Sequence, residues 1–104
     1  MKQTAMISQS MRNLSSEDII AAREKATHTL EQFGYDVIDN FFTDDFFVSE
    51  DTKNVAVAYL AKSIDVMAKC NAVYFVNGWQ TARGCRIEHE IAKNYGLAII
   101  YEGE

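Results

Sequence analysis

The chain has no proline, only two cysteines, and ten basic residues against fifteen acidic ones in a total of 104. The absence of proline argues against long linkers, and no internal repeat is visible, so we expect one domain spanning residues 1–104. The net charge is −5 and no cluster of Lys or Arg occurs. Duplex nucleic acid is therefore excluded as an expected partner, whereas a small nucleotide held locally is not.

The two cysteines, Cys70 and Cys85, lack the spacing of metal ligands, and no paired histidines accompany them. We expect reduced thiols rather than a disulfide, and neither a metal nor a cofactor. The N-terminal sequence MKQTAMISQS lacks the apolar run of a signal peptide, and no segment approaches 18 consecutive apolar residues. The sequence therefore predicts a cytoplasmic protein without membrane association.

Short apolar runs alternate with helical patterns along the chain. Helices are predicted at about 15–33, 52–69 and 83–95, and strands at Thr4–Ser8, Tyr35–Asp39, Ala72–Val76 and Leu97–Tyr101. This order predicts an α/β fold: a small Rossmann/flavodoxin-like three-layer sandwich with a four- to five-stranded parallel sheet. So small a sheet leaves apolar surface exposed, and we therefore expect a homo-oligomer.

Apolar spacing also predicts which side chains the first two helices bury. The stripe of the first helix is Ile19, Ala22, Ala26, Leu30 and Phe33, and that of the second is Ala56, Leu60, Ser63, Ile64 and Met67. Ser15 is predicted to cap the first helix and Gly34 to end it. The connection 40–52 is rich in Phe, which indicates either a functional loop or packing over the sheet edge.

Glu88 is the most informative residue, because it interrupts the apolar stripe of the helix at 83–95. Gly84, Ile87, Ile91, Ala92 and Tyr95 share an arc of about 140°, and Glu88 lies within it. A buried unpartnered carboxylate is costly, and the small Gly84 and Ala92 leave room beside it, as in a ligand pocket. In the alternative interpretation, Glu88 extends into water or pairs with Arg12 or Arg83.

Ligands of open α/β sheets bind beyond the carboxyl ends of the strands, where the strand order reverses. Two loops are predicted to meet there, and their expected substrate-binding residues are Ser8, Gln9, Ser10, Met11, Arg12, Asn77, Gly78 and Trp79. Trp79 either stacks on a base or packs in the core. The backbone N–H groups at the start of the helix at 83–95 can hold phosphate or sugar oxygens. His28 and His89 are predicted to face solvent, which makes both poor catalytic candidates.

The stretch KSIDVMAKCNAVYFVNGWQTARGCRIEHEIAKNYGLAIIYE resembles the small nucleoside 2-deoxyribosyltransferase-like domains, as do the upstream segments MISQSM and YDVIDNFF. The chain is most similar to the branch known as DUF4406, which is frequent in bacteria and bacteriophages. The most specific element is G-x-x-x-E-x-x-x-A, present here as Gly84, Glu88 and Ala92. In the transferases this Glu attacks the anomeric carbon of the sugar, so the resemblance implies that Glu88 is the catalytic nucleophile.

The chain also departs from the transferase pattern. An Asp that the transferases use for base recognition and proton handling corresponds approximately to Ser63, and a second Asp corresponds to Asn71. The resemblance implies an enzyme of N-glycosidic bonds, either transferring or hydrolysing the deoxyribosyl unit of a nucleoside or nucleotide, with Ser63 and Gly84 in the substrate site. The alternative is a non-catalytic binder of a nucleotide or ADP-ribose-like signal, such as a phage-type counter-defence protein. A purely structural role is the third hypothesis, and it leaves Glu88 unexplained.

Overall fold

The computed structural model describes residues 3–10, 14–38 and 51–103. Their helices and strands are β1 (Gln3–Ser8), α1 (Ser16–Gln32), β2 (Tyr35–Val37), α2 (Val55–Met67), β3 (Ala72–Phe75), a 3₁₀ turn (Trp79–Thr81), α3 (Arg83–Asn94) and β4 (Ala98–Tyr101). The strands form one four-stranded parallel sheet in the order β2-β1-β3-β4. The predicted α/β fold is confirmed, and the strand order reverses between β1 and β3.

The sheet has one helix on one face and two on the other. Successive side chains of a strand point to opposite faces, so Ile7 packs with Ala26 and Leu30 of α1, whereas Met6 packs with Met67 of α2. Ala92 of α3 belongs to the same core cluster as Met6 and Met67. These layers make the predicted three-layer sandwich, and they place α2 and α3 side by side over β1 and β3.

The ends of α1 follow the sequence signals, but one residue of its stripe does not. The Ser15 hydroxyl accepts the N–H of Asp18 at 3.1 Å, and Gly34 follows the helix with a φ of +91°. Phe33 was predicted to be buried, but 57% of it is exposed. That prediction is wrong because α1 ends at Gln32, so the Phe33 side chain lies beyond the last helical turn.

Burial in α2 increases from its first turn to its last. Met67 is buried, Leu60, Ser63 and Ile64 are half-buried, and Ala56 is exposed. The prediction that Ala56 faces inward is wrong, because the first turn of α2 lies outside the packed part of the core. Asp65 is exposed, in agreement with its predicted direction away from the sheet.

The buried face of α3 is rotated by about 60° from the predicted stripe, at 100° per residue. Its centre is formed by Cys85, Glu88 and Ala92, whereas 42% of Ile87 and 81% of Tyr95 are exposed. The predictions that Ile87 and Tyr95 face the core are therefore wrong.

The same rotation brings His89 to a half-buried position, so its predicted exposure to solvent is wrong as well, whereas that of His28 is confirmed. Phe41, Phe42, Phe46 and Phe47 lie outside the described residues. In the part of the chain that is described, none of the helices combines the length and the apolar character needed to cross a bilayer.

Candidate functional site

Three paired residues form a row across the carboxyl edge of the sheet. Ser8 of β1 is in register with Phe75 of β3, which is in register with Tyr101 of β4. Paired residues of parallel strands point to the same face, and Phe75 and Tyr101 belong to the core cluster beneath α2 and α3. The row therefore underlies α3 at the edge where ligands of this fold class bind.

Glu88 of α3 lies over the Ser8 end of this row. The Ser8 hydroxyl donates a hydrogen bond to Oε1 of Glu88 at 2.6 Å, and the side chain of Ser63 on α2 also hydrogen-bonds to this carboxyl group. Only 6% of Glu88 is exposed. The alternative in which Glu88 extends into water is wrong. The structure instead brings together one buried carboxyl group and two hydroxyl groups from three different elements.

Burial controls the protonation of this cluster. It raises the pKa of Glu88 above 4.5, because a charged carboxylate is poorly solvated there, and the hydrogen bonds of Ser8 and Ser63 offset part of that rise. Burial also raises the pKa of the Cys85 thiol, which is hydrogen-bonded to Ser8. Among the described residues no Lys or Arg forms an ion pair with Glu88. The hydroxyl groups are therefore the groups that favour its charged form.

We expect Ser8→Ala to raise the pKa of Glu88 further and to destabilise the fold by about 1–3 kcal/mol, because a buried acceptor loses its donor. Carboxyl NMR titration measures the first effect and urea unfolding the second. Ser16→Ala, which removes an exposed hydroxyl on α1, is the matched control and changes stability by less than about 0.5 kcal/mol. An unchanged Glu88 titration in Ser8→Ala contradicts the role assigned to this hydrogen bond.

The raised pKa of Glu88 also predicts a pH dependence of stability. The neutral acid is favoured in the folded state, so its stabilisation is complete below the unfolded value of 4.5 and is lost as pH rises through the higher folded value. Glu88→Gln cannot titrate. We therefore expect the free energy of unfolding of the variant, minus that of the wild type, to increase with pH across this range. A difference independent of pH contradicts the assigned shift.

An aromatic cluster occupies the other end of the row. Trp79 stacks on His89 with ring centroids 4.2 Å apart, and Nε2 of His89 lies 2.7 Å from the hydroxyl group of Tyr101. The Phe75 ring packs against both of these rings, with its centroid 5.2 Å from that of Trp79 and 5.1 Å from that of His89. Trp79 is half-buried, so it packs in this cluster while part of its surface remains open to solvent.

The other described residues predicted for the site lie near the same edge, and none of their side chains hydrogen-bonds to Glu88. Gln9 turns toward α1, where its side chain donates to the Ile19 carbonyl at 2.9 Å and accepts from Arg23 at 3.2 Å. Ser10 is half-buried and Asn77 and Gly78 are exposed. Gly84 is half-buried, and a Cβ atom placed on it would meet only Leu60, at 4.0 Å, so a small group fits there. Met11 and Arg12 lie outside the described residues.

Asn71 lies at the opposite edge of the sheet. It precedes β3, and its Oδ1 accepts the N–H of Thr4 at 2.8 Å and the hydroxyl group of Thr4 at 3.3 Å. Asn71 therefore joins the starts of β1 and β3, whereas Ser8 and Glu88 lie at their carboxyl ends. Of the two positions compared with transferase aspartates, only Ser63 contacts Glu88.

Thiol and metal chemistry have little support in the described residues. Cys70 and Cys85 are free and buried, and burial raises the pKa of Cys70 to about 11. Both thiols therefore stay protonated near neutral pH. No group of three or more metal-binding side chains comes together in the described ranges.

Three residues that were not among the predicted site residues contribute to this edge. Cys85 lies one turn before Glu88 in α3, and this spacing could have predicted that the two side chains share a face of the helix. His89 carried no signal beyond its helix position. Glu102 follows β4, accepts the backbone N–H of Asn77 at 2.9 Å and pairs with Lys25 at 3.1 Å. These contacts lower the pKa of Glu102 and attach the loop after β3 to the end of β4.

Comparison with known proteins identifies the family of the chain. A family model described as a domain of unknown function (DUF4406) matches residues 15–101, which include α1, α2, α3 and all strands but β1. Searches of curated proteins and of solved structures found no match. The matched region contains Ser63 and Glu88, and it covers most of the sequence. The chain therefore belongs to the DUF4406 family.

Proposed function

We propose that this protein is an enzyme of N-glycosidic bonds that transfers or hydrolyses the deoxyribosyl unit of a nucleoside or nucleotide, with Glu88 as the nucleophile. The observation that carries the proposal is the buried Glu88 carboxyl group, held by Ser8 and Ser63 at the carboxyl edge of β1 and β3. A titratable group with a shifted pKa at the strand-order reversal is typical of a functional site. The resemblance to the deoxyribosyltransferase-like domains at Gly84, Glu88 and Ala92 supports the same role.

The proposed reaction has two steps. The Glu88 carboxylate forms a bond to the anomeric carbon while the C–N bond breaks, and the bonding electron pair leaves with the base, which takes up a proton from solvent. Water or an acceptor base then attacks the same carbon and returns a proton to solvent, and the bond to Glu88 breaks to regenerate the carboxylate. The Ser8 hydroxyl fixes Oε1 of Glu88 at 2.6 Å and favours the charged form that must attack.

The surroundings of Glu88 offer contacts for the rest of such a substrate. Ala82 precedes α3 and has no side-chain oxygen to cap it, so N–H groups of the first turn can receive phosphate or sugar oxygens. Gly84 leaves room for a small group one turn before Glu88. We expect the solvent-accessible part of Trp79 to stack on the base.

One observation favours the second candidate function, the binding of a nucleotide or ADP-ribose-like signal without turnover. The groups hydrogen-bonded to Glu88 are hydroxyls of Ser8 and Ser63 rather than a second acid. Departure of a base needs a proton donor whose pKa suits transfer, and a serine hydroxyl is a poor one. Under this hypothesis the site holds a sugar without cleaving its bond to the base.

Incubation with a panel of nucleosides and nucleotides, with and without an acceptor base, separates the two functions. The proposed enzyme releases free base, and chromatography with mass spectrometry measures it. A new nucleoside formed with the acceptor indicates transfer, and free sugar indicates hydrolysis. Saturable binding by calorimetry with no released base would reject the enzyme and support the binder. A protein that neither binds these compounds nor releases base would contradict both functions.

A further inference from the structure

The outer face of α3 carries an apolar ridge whose two ends, Ile87 and Tyr95, are exposed, whereas Ile91 between them is half-buried and packs against the core. Ile87, Ile91 and Tyr95 recur every four residues, which places them along one side of the helix. Ile87 is 42% exposed and Tyr95 81%, and a shallow groove of about 320 Å³ lies along these residues. This ridge lies away from Glu88, which faces the sheet from the inner side of the same helix.

Charges of opposite sign border this ridge on either side of Ile87. Arg83 and Arg86 line the groove toward the start of α3, and Glu90 lines it toward the end. Neither arginine forms an ion pair with another described residue. Arg83 lies four residues before Ile87 and Glu90 three residues after it, so the two charges are nearly equidistant from Ile87 along the helix.

We propose that this face binds a second copy of the chain, with the two α3 helices antiparallel across a two-fold axis near Ile87. A two-fold axis brings each patch against the same patch of the partner, so a suitable surface must complement itself. Antiparallel α3 helices place Arg83 and Arg86 of one copy beside Glu90 of the other, twice per dimer. Ile87, at the axis, then packs against Ile87 of the other copy. The proposal is independent of the chemistry assigned to Glu88.

Charge reversal on the full chain tests this arrangement, because all three charged residues are partly or fully exposed on a helix surface. Arg83→Glu with Arg86→Glu leaves only acidic residues in the patch, and Glu90→Lys leaves only basic ones. Each variant places like charges together across the axis, and we expect the dimer dissociation constant to rise on the order of 100-fold or more. Mixing the two variants restores opposite charges and forms a heterodimer.

Sedimentation velocity at micromolar concentrations measures association, and native mass spectrometry identifies the heterodimer because the variants differ in mass. Glu24→Lys, an equivalent change at an exposed position of α1 on the other side of the sheet, should dimerise like the wild type. Circular dichroism verifies that each variant is folded. A wild-type chain that stays monomeric, reversed variants that still dimerise, or a mixture without heterodimer would each overturn the proposal.

Discussion

Glu88→Gln lowers base release by about a thousandfold or more, the scale typical of the loss of a nucleophile. The amide retains the shape of the carboxyl group and can still accept the hydrogen bond of Ser8, but it cannot form the bond to the anomeric carbon. The variant should therefore keep the fold and still bind a nucleoside. Its stability at neutral pH should equal or exceed that of the wild type, because no buried charge remains.

The matched control is Glu24→Gln, which removes an exposed carboxylate on α1, across the sheet from the site. It should release base at the wild-type rate. Initial rates measured for the three proteins on the same nucleoside panel decide the matter. Base release by Glu88→Gln at a rate within a few-fold of the wild type contradicts the nucleophile assignment, whatever substrate is used.

Phe75→Ala destabilises the protein by about 3–5 kcal/mol, the largest expected effect on folding. The Phe75 side chain is 0% exposed and lies at the centre of the row across the sheet edge. Its ring centroid is 5.1 Å from that of His89, 5.2 Å from that of Trp79 and 6.2 Å from that of Tyr101. Truncation therefore removes apolar burial and several aromatic contacts together.

Phe33→Ala makes the same chemical change at a position that is 57% exposed. We expect it to alter the free energy of unfolding by less than about 0.5 kcal/mol. Urea unfolding of both variants measures the difference. Equal losses at the two positions contradict the assignment of Phe75 to the core and of Phe33 to the surface.

The elements and their order were predictable because each carries a strong local signal. Apolar runs of strand length alternate with helical spacing, and Ser15 and Gly34 mark the ends of α1. Parallel strands joined by helices require crossovers on defined faces, which leaves few arrangements of the sheet. The carboxyl edge of β1 and β3 followed from that arrangement, and so did the nearness of Ser8 to Glu88.

The orientation of α3 was harder to predict, because the sequence does not say which apolar residues have a partner. Taking Ile87 and Tyr95 as buried displaced the predicted face by about 60°. An apolar residue at a helix surface is common, and it then biases the apparent stripe. Cys85, Glu88 and Ala92 are the buried residues instead, and the exposed Ile87 is now central to the proposed dimer.

Other contacts between residues distant in the sequence could not be derived from local patterns. His89 meets Tyr101 only because the chain returns through β4 beside α3. Asn71 and Ser63 are both polar and precede β3, yet only Ser63 reaches the site. Asn71 lies at the amino edge of the sheet beside Thr4. The two residues differ in the edge of the sheet at which they lie, which residue type does not reveal.

The most direct test of the central claim is the mass of the protein during turnover. Acid quenching within the first turnover, followed by mass spectrometry of intact protein and of peptides, detects a sugar attached to Glu88. We expect a transient mass increase equal to the glycosyl unit, located on the peptide containing Glu88 and absent from Glu88→Gln. Free base that accumulates while the protein mass never changes would contradict a covalent role for this carboxylate.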